Sequence, residues 1–316
     1  MQSQDLDVLR QALHWVSAEQ AAWLCTVVST VGSSPRPVGT ILACDTAGNA
    51  IGSLSGGCVE EDLLARLASG EFNTGRPETV EYGVSADENE RLGLPCGGRL
   101  RVLVQGLNLQ ADRSWLQEAV AALESRRCVL RRLAMNTGET RIEGVQRFAE
   151  LTFDERELQQ CFGPQMRMLL VGAGQLAQSL AELALAMDYQ VLVTDPRAQA
   201  LAQWQGPAVE LIQGMPDDVV RQRADDPFAI IITLTHDPRI DDMALMEALL
   251  TEAWYVGALG SQKTTQKRLQ RLRDLELPDA AIARLHAPVG LAIGSKTPVE
   301  IAVAIMAEIT SLRRLR

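Results

Sequence analysis

Apolar positions recur at helical spacing near the start of the chain. Leu6, Leu9, Leu13 and Val16 share one face and predict a helix over 5–20. Apolar runs at 22–30 and 38–44 read as strands. Asp45-Thr46-Ala47-Gly48-Asn49 then forms a hairpin signal before a short strand at 50–52. Val59, Leu63, Leu64 and Leu67 return to helical spacing and predict a helix over 58–68. Strands follow at 80–83 and 99–107. The pattern weakens over 108–163, where 115–123 suits a helix and 128–135 with 141–148 suit a hairpin around Thr137-Gly138. This stretch reads as the rest of a first domain plus a connector.

The second half alternates more clearly. Strands are predicted at 168–171, 190–194, 228–235, 254–259 and 288–293, with helical segments between them, the first over 176–187. Strands that alternate with helices call for a parallel sheet. The boundary falls near Gly163-Pro164, so the expected domains are 1–163, mixed α+β, and 164–316, an α/β unit with a doubly wound parallel sheet.

Composition narrows the function. The 316 residues are 47% hydrophobic and 22% charged, with a net charge of −10. Such acidity argues against non-specific nucleic-acid binding. No apolar run is long enough to span a membrane, and Met1-Gln2-Ser3-Gln4-Asp5 has no basic n-region or apolar h-region. A cytoplasmic protein is expected, and a homodimer on general grounds. The six cysteines include no CxxC pair and no zinc-site spacing. Cys25, Cys44 and Cys128 fall in strand-like runs and Cys161 in a helix-like one, while Cys58 and Cys96 occupy glycine-rich loops.

Ser55-Gly56-Gly57-Cys58-Val59-Glu60 delivers a thiol to a predicted helix start. Unpaired N–H groups and the helix dipole there make a cradle for an oxyanion, with a sulfur at its rim. A Gly-Gly-Cys turn packed for structure alone would produce the same pattern. Farther on, Gly172-x-Gly174-x-x-Ala177 links a strand to a helix. Asp195 ends the next strand, where a ribose-binding acid belongs. This is a Rossmann-like, dinucleotide-binding signature, with Ala173 and Gln175 completing the turn. Arg197 is placed to meet a phosphate or to sit solvated at a helix start. Two further loops lie at strand carboxyl ends, where open parallel sheets bind ligands. One is Thr235-His236-Asp237, followed by Asp241. The other is Gly257-Ala258-Leu259-Gly260-Ser261, followed by Lys263, Thr264 and Arg268. Each reads as a ligand loop or a plain turn. Thr297 and Pro298 read as N-cap and first residue of a C-terminal helix.

Taken in order, the motifs resemble the xanthine dehydrogenase accessory factor (XdhC/CoxI) family over nearly the whole chain. They are Gly32-Ser33-Ser34-Pro35-Arg36-Pro37-Val38-Gly39, Ser55-Gly56-Gly57-Cys58-Val59-Glu60 and Pro95-Cys96-Gly97-Gly98, then Thr235-His236-Asp237, Tyr255-Val256-Gly257-Ala258-Leu259-Gly260-Ser261, Pro288-Val289-Gly290-Leu291 and Pro298-Val299-Glu300-Ile301-Ala302. The resemblance implies a chaperone that binds the molybdenum cofactor, as molybdopterin or its cytosine dinucleotide form. Such a chaperone protects the cofactor while a cysteine desulfurase adds the sulfido ligand, and passes it to an apo molybdenum hydroxylase. The residues expected to hold the cofactor are Ser55, Gly56, Gly57, Cys58, Glu60, Cys96, Gly97, Gly98, Gly172, Ala173, Gly174, Gln175, Asp195, Arg197, His236, Gly260 and Ser261, with Cys58 at the metal end. Ala292 stands where the family pattern leads one to expect an acid. Two other readings remain open: an NAD(P)-dependent oxidoreductase, suggested by the fold, and a non-catalytic docking scaffold.

Overall fold

A computed structural model describes residues 4–32, 36–72, 76–92, 98–146 and 148–314. The chain divides into two units, Met1–Pro164 and Gln165–Arg316.

The first unit runs α1 (Gln4–Ser17), β1 (Ala22–Val31), β2 (Ile41–Asp45), β3 (Ala50–Gly52), α2 (Cys58–Ala68), β4 (Glu78–Tyr82), α3 (Ala86–Arg91), β5 (Arg99–Leu107), α4 (Asp112–Glu124), β6 (Cys128–Ala134), β7 (Thr140–Val145), β8 (Thr152–Phe153) and β9 (Glu157–Phe162). Five strands pair antiparallel in the order β3-β2-β1-β5-β4, and four in the order β7-β6-β9-β8. The five-stranded sheet is covered on both faces. Trp23, Cys25, Val27, Leu42 and Cys44 pack with Val59, Leu63 and Leu67 of α2. Ala22, Leu24, Ile41 and Ala43 pack with Val8, Leu9 and Val16 of α1 and with Leu116 and Ala119 of α4. This is why β1 is apolar without alternation: side chains of both parities are buried. Burying each of the three α2 residues contributes on the order of 2 kcal/mol, enough to seat the helix whose first residue is Cys58.

The second unit runs β10 (Arg167–Val171), α5 (Gln175–Ala186), β11 (Gln190–Thr194), α6 (Ala198–Ala202), β12 (Glu210–Ile212), α7 (Pro216–Arg223), β13 (Ala229–Thr233), α8 (Pro238–Ala248), β14 (Tyr255–Ala258), α9 (Gln262–Asp274), α10 (Asp279–Ile282), β15 (Leu285–His286) and α11 (Pro298–Arg314). Its six strands are all parallel, in the order β12-β11-β10-β13-β14-β15. The chain order reverses between β10 and β13, the place at which open parallel sheets bind ligands. Thr297 Oγ1 accepts from the Glu300 N–H, and the Glu300 carboxylate accepts from the Thr297 N–H, which caps α11 reciprocally.

The structure corrects several sequence expectations. Helix α1 ends at Ser17, and Glu19 follows in the left-handed region at φ 58°. The stretch 108–163, weak in sequence pattern, supplies α4 and a full four-stranded sheet. Cys161 lies on β9, not on a helix, because pairing with β6 decides the conformation of a segment whose own pattern is ambiguous. The expected strand at 288–293 is absent. The sixth strand is Leu285–His286, after which Pro288 has no N–H to give to a ladder, and Leu291 and Ile293 are exposed.

Candidate functional site

In the first unit, Cys58 opens α2 and is exposed. The turn before it needs its glycine at 56, where φ is +85°. The donors of this turn converge on the chain's own Glu60. Its Oε1 accepts from the amides of Leu54 (2.9 Å), Ser55 (2.8 Å) and Gly56 (2.7 Å) and from Ser53 Oγ (2.8 Å). Its Oε2 accepts from the Gly57 amide (3.0 Å) and from the Ser55 hydroxyl. Burial opposes ionisation, but the Ser55 hydroxyl and the amides of residues 55–57 outweigh it and hold the Glu60 pKa down to about 2. The oxyanion cradle expected from the sequence is therefore filled from within. Ser55, Gly56, Gly57 and Glu60 build and lock the turn, and what the turn presents outward is the Cys58 thiol.

Cys96 and Gly97 lie outside the described residues. Gly98 is described, and it packs closely against two other glycines. A Cβ on Gly83 would stand 2.1 Å from Gly98 O, and one on Gly32 would stand 3.5 Å from Gly98 Cα. Gly83 thus meets the Gly98 backbone too closely for any side chain, while Gly32 stands at ordinary contact distance from Gly98. Among the described residues, no three His, Cys, Asp or Glu side chains are grouped to hold a metal ion.

In the second unit, the turn after β10 is set by backbone contacts. Gly172 has φ +112°, and a Cβ there would lie 2.8 Å from Thr235 Cγ2 and 3.2 Å from Thr235 N. Its amide donates to Thr194 O (2.7 Å). Gly174 caps α5, and a Cβ on it meets nothing within 4 Å, so open space lies over the helix start. Gly174 and Gln175 are exposed. This arrangement suits a phosphate, which takes N–H donors at a helix N-terminus.

Asp195 has a different task from the one its position suggested. It is fully buried. Oδ2 accepts from the Ala173 amide (3.1 Å) and from an Arg197 Nη (2.8 Å), and Oδ1 accepts from Arg197 N (3.0 Å) and Nε (2.9 Å). Burial opposes its ionisation, but the Arg197 side chain and the two amides prevail and hold its pKa below the usual carboxylate range. The carboxylate fastens the glycine turn instead of facing a ribose. The group turned outward is Arg197, whose side chain is 52% exposed.

Three other predicted residues come together. His236 is exposed, with φ +62°, and lines a cavity of ≈ 310 Å³ with Gly260, Ser261 and Arg268. Ser261 is the N-cap of α9, its Oγ accepting from the Thr264 amide (3.1 Å). Its hydroxyl thus has a structural part in addition to lining the cavity.

Arg268 and Asp241 were visible in the sequence, but their partnership was not. Arg268 is 2% exposed and donates to Leu259 O (3.0 Å) and Asp241 Oδ2 (3.2 Å). Asp241 Oδ1 in turn accepts from Thr235 Oγ1 (2.7 Å) and Thr235 N (3.1 Å). One buried ion pair thereby ties the loop after β13 to the loop after β14. The available signal was Arg268 on the same helical face as Leu272, a charge at a core position of α9.

Residues 168–309 match a family described as the XdhC Rossmann domain, and residues 15–83 match one described as the XdhC and CoxI family. The chain is 27% identical over 319 residues to a probable xanthine dehydrogenase subunit of Bacillus subtilis (strain 168), covering 94% of each chain. It is 27% identical over 307 residues to the molybdenum cofactor insertion chaperone PaoD of Escherichia coli (strain K12), covering 97% of this chain and 88% of that one. A crystal structure described as a xanthine dehydrogenase from Bacillus halodurans superposes with a TM-score of 0.76 at 26% identity, covering 99% of this chain and 96% of that one.

Proposed function

Because this chain belongs to the XdhC and CoxI family, we propose that it is a molybdenum cofactor chaperone. It binds the cofactor, shields it while a cysteine desulfurase installs the sulfido ligand, and hands it to an apo molybdenum hydroxylase of the xanthine dehydrogenase, aldehyde oxidase or carbon monoxide dehydrogenase type. It acts as a carrier rather than an enzyme, as a homodimer in the cytoplasm. The name of the Escherichia coli relative, a cofactor insertion chaperone, supports this reading over nearly the full chain.

The observation that carries it is the Gly172–Gly174 turn with Arg197 beside it. The cofactor brings a phosphate, or a pyrophosphate in its cytosine dinucleotide form. The residues that would take that end are Gly174 and Gln175 at the start of α5, with Arg197 as the cation. Independently of that turn, the exposed Cys58 of the first unit supplies a soft ligand suited to molybdenum, as thiolates suit soft metal centres. The NAD(P)-dependent oxidoreductase reading is weaker on the same observation. An NAD-type ribose contact needs a free acid at the end of β11, and both oxygens of Asp195 are engaged by Arg197 and Ala173.

The test is to purify the protein from a host that makes molybdopterin and identify what it carries. Pterin fluorescence after oxidation, metal analysis and mass spectrometry should show a molybdenum-bearing pterin in near-stoichiometric amount. Bound NADPH with no pterin would overturn the proposal in favour of the oxidoreductase reading.

A further inference from the structure

Four cysteines of the first unit stand in two cross-strand pairs. Cys25 on β1 neighbours Cys44 on β2, and both are fully buried between the five-stranded sheet and α2. Cys128 on β6 neighbours Cys161 on β9, with Sγ atoms 3.5 Å apart. The second pair is the shallower one. Cys161 is directly opposite Leu130, and Cys128, two residues earlier on the same strand, faces the same side. That side carries the half-buried Leu130 and Arg132, whereas Val129, Arg131 and Leu133 on the other side are buried. Cys161 also accepts a hydrogen bond from the Ala149 amide, in the exposed stretch 148–150. The Cys128 thiol beside it holds the Cys161 pKa down to about 7 against the effect of burial, and the Cys128 pKa is raised by the same contact. The pair therefore sets two buried sulfurs within reach of each other, with Cys161 held beneath an exposed segment of chain.

We propose that Cys128 and Cys161 form an oxidisable dithiol that takes a hydroperoxide as its substrate and closes to an intrachain disulfide in the folded protein. This does not depend on the cofactor reading. In the first step the Cys161 thiolate attacks the peroxide, an S–O bond forms, the O–O bond breaks, and water or an alcohol leaves after taking a proton. In the second step Cys128 attacks the resulting sulfenic sulfur. The S–S bond forms, the S–O bond breaks, and water leaves with the Cys128 proton. Two thiols are oxidised by two electrons and one peroxide is reduced. The sulfurs must approach by roughly 1.5 Å to reach disulfide length. Cys25 and Cys44 provide an internal comparison, since they share the cross-strand placement at 0% exposure, against 3% for Cys128 and 6% for Cys161.

The full chain is treated with hydrogen peroxide without denaturant, quenched by alkylation in denaturant, and mapped by mass spectrometry without reduction. A peptide pair joining Cys128 to Cys161, two hydrogens lighter than the separate peptides and released by dithiothreitol, is expected before any Cys25–Cys44 link. In Cys128→Ser the second step is blocked, so dimedone should trap a sulfenic acid at Cys161. If that variant does not fold, the wild-type map decides alone. Recovery of Cys128 and Cys161 as alkylated thiols, while exposed Cys58 has been oxidised, would overturn the proposal.

Discussion

Asp195 is fully buried, and it holds Arg197 half out in solvent through a two-point ion pair of 2.8 and 2.9 Å. The same carboxylate fixes the Ala173 amide at 3.1 Å, so one acid sets both the glycine turn and the cation beside it. The positive group at this corner is prepositioned and retains solvent-facing surface. Such an arrangement favours an anionic ligand, because the ion pair with Asp195 itself meets the conformational cost of ordering the arginine.

Gly174→Val should separate ligand binding from folding. The backbone at 174 has φ −82°, open to any residue, and a Cβ there meets nothing within 4 Å. The folded state should lose at most about 1 kcal/mol, typical of a poorer N-cap. A branched side chain over the helix start should cut cofactor retention several-fold. Equal pterin content in wild type and a folded Gly174→Val would remove this turn from the site.

The Glu60 nest should have a stability signature in acid. The folded pKa of about 2 lies below the ordinary value of 4.5, so the carboxylate contributes stability above pH 4.5. That contribution is lost as pH falls from 4.5 toward 2. Glu60→Gln replaces one acceptor oxygen with a donor facing N–H groups, and should cost about 1–3 kcal/mol at neutral pH. Urea unfolding across pH should show the gap between wild type and Glu60→Gln closing below pH 4.5. A gap that stays constant to pH 2 would show that the charge of Glu60 is not what holds the turn.

Cys58→Ser should leave stability within about 0.5 kcal/mol, since the residue is exposed and the change nearly preserves volume. Client hydroxylase activity and cofactor content, measured in cells that carry only this variant, should both fall. If both equal wild type, Cys58 is merely the first residue of its helix.

Arg268→Ala should be the most damaging of these changes. It leaves Asp241 buried without its guanidinium, and removal of one partner from a buried pair typically costs about 3–5 kcal/mol. Arg268→Met paired with Asp241→Asn removes both charges and should recover part of that loss. A double variant no more stable than Arg268→Ala would mean that packing, not the unpaired charge, dominates.

The parts legible in the sequence were those fixed by neighbours along the chain. Val59, Leu63 and Leu67 set a helix that begins at Cys58, and Gly172 with Gly174 marked a strand-to-helix turn at the carboxyl edge of a parallel sheet. Capping of α11 by Thr297 was equally local. The conformation of Cys161 was not, because a short segment of mixed pattern takes its shape from the strand it pairs with. Nor was the end of the second sheet: the apolar run from Val289 to Ile293 read as a strand, yet Pro288 removes the donor that a ladder needs.

Residue type and spacing determined which groups this protein carries: a thiol at a helix start, a glycine turn, an acid and an arginine two residues apart, and a histidine at a strand end. Tertiary structure decided what each group faces. Glu60 and Asp195 both looked outward on paper, and both turn inward to their own backbone amides, one to four of them and the other to two. A carboxylate leaves water only where N–H groups or cations replace its hydration. Whether enough of them converge depends on how the chain bends in three dimensions, which a one-dimensional spacing does not record.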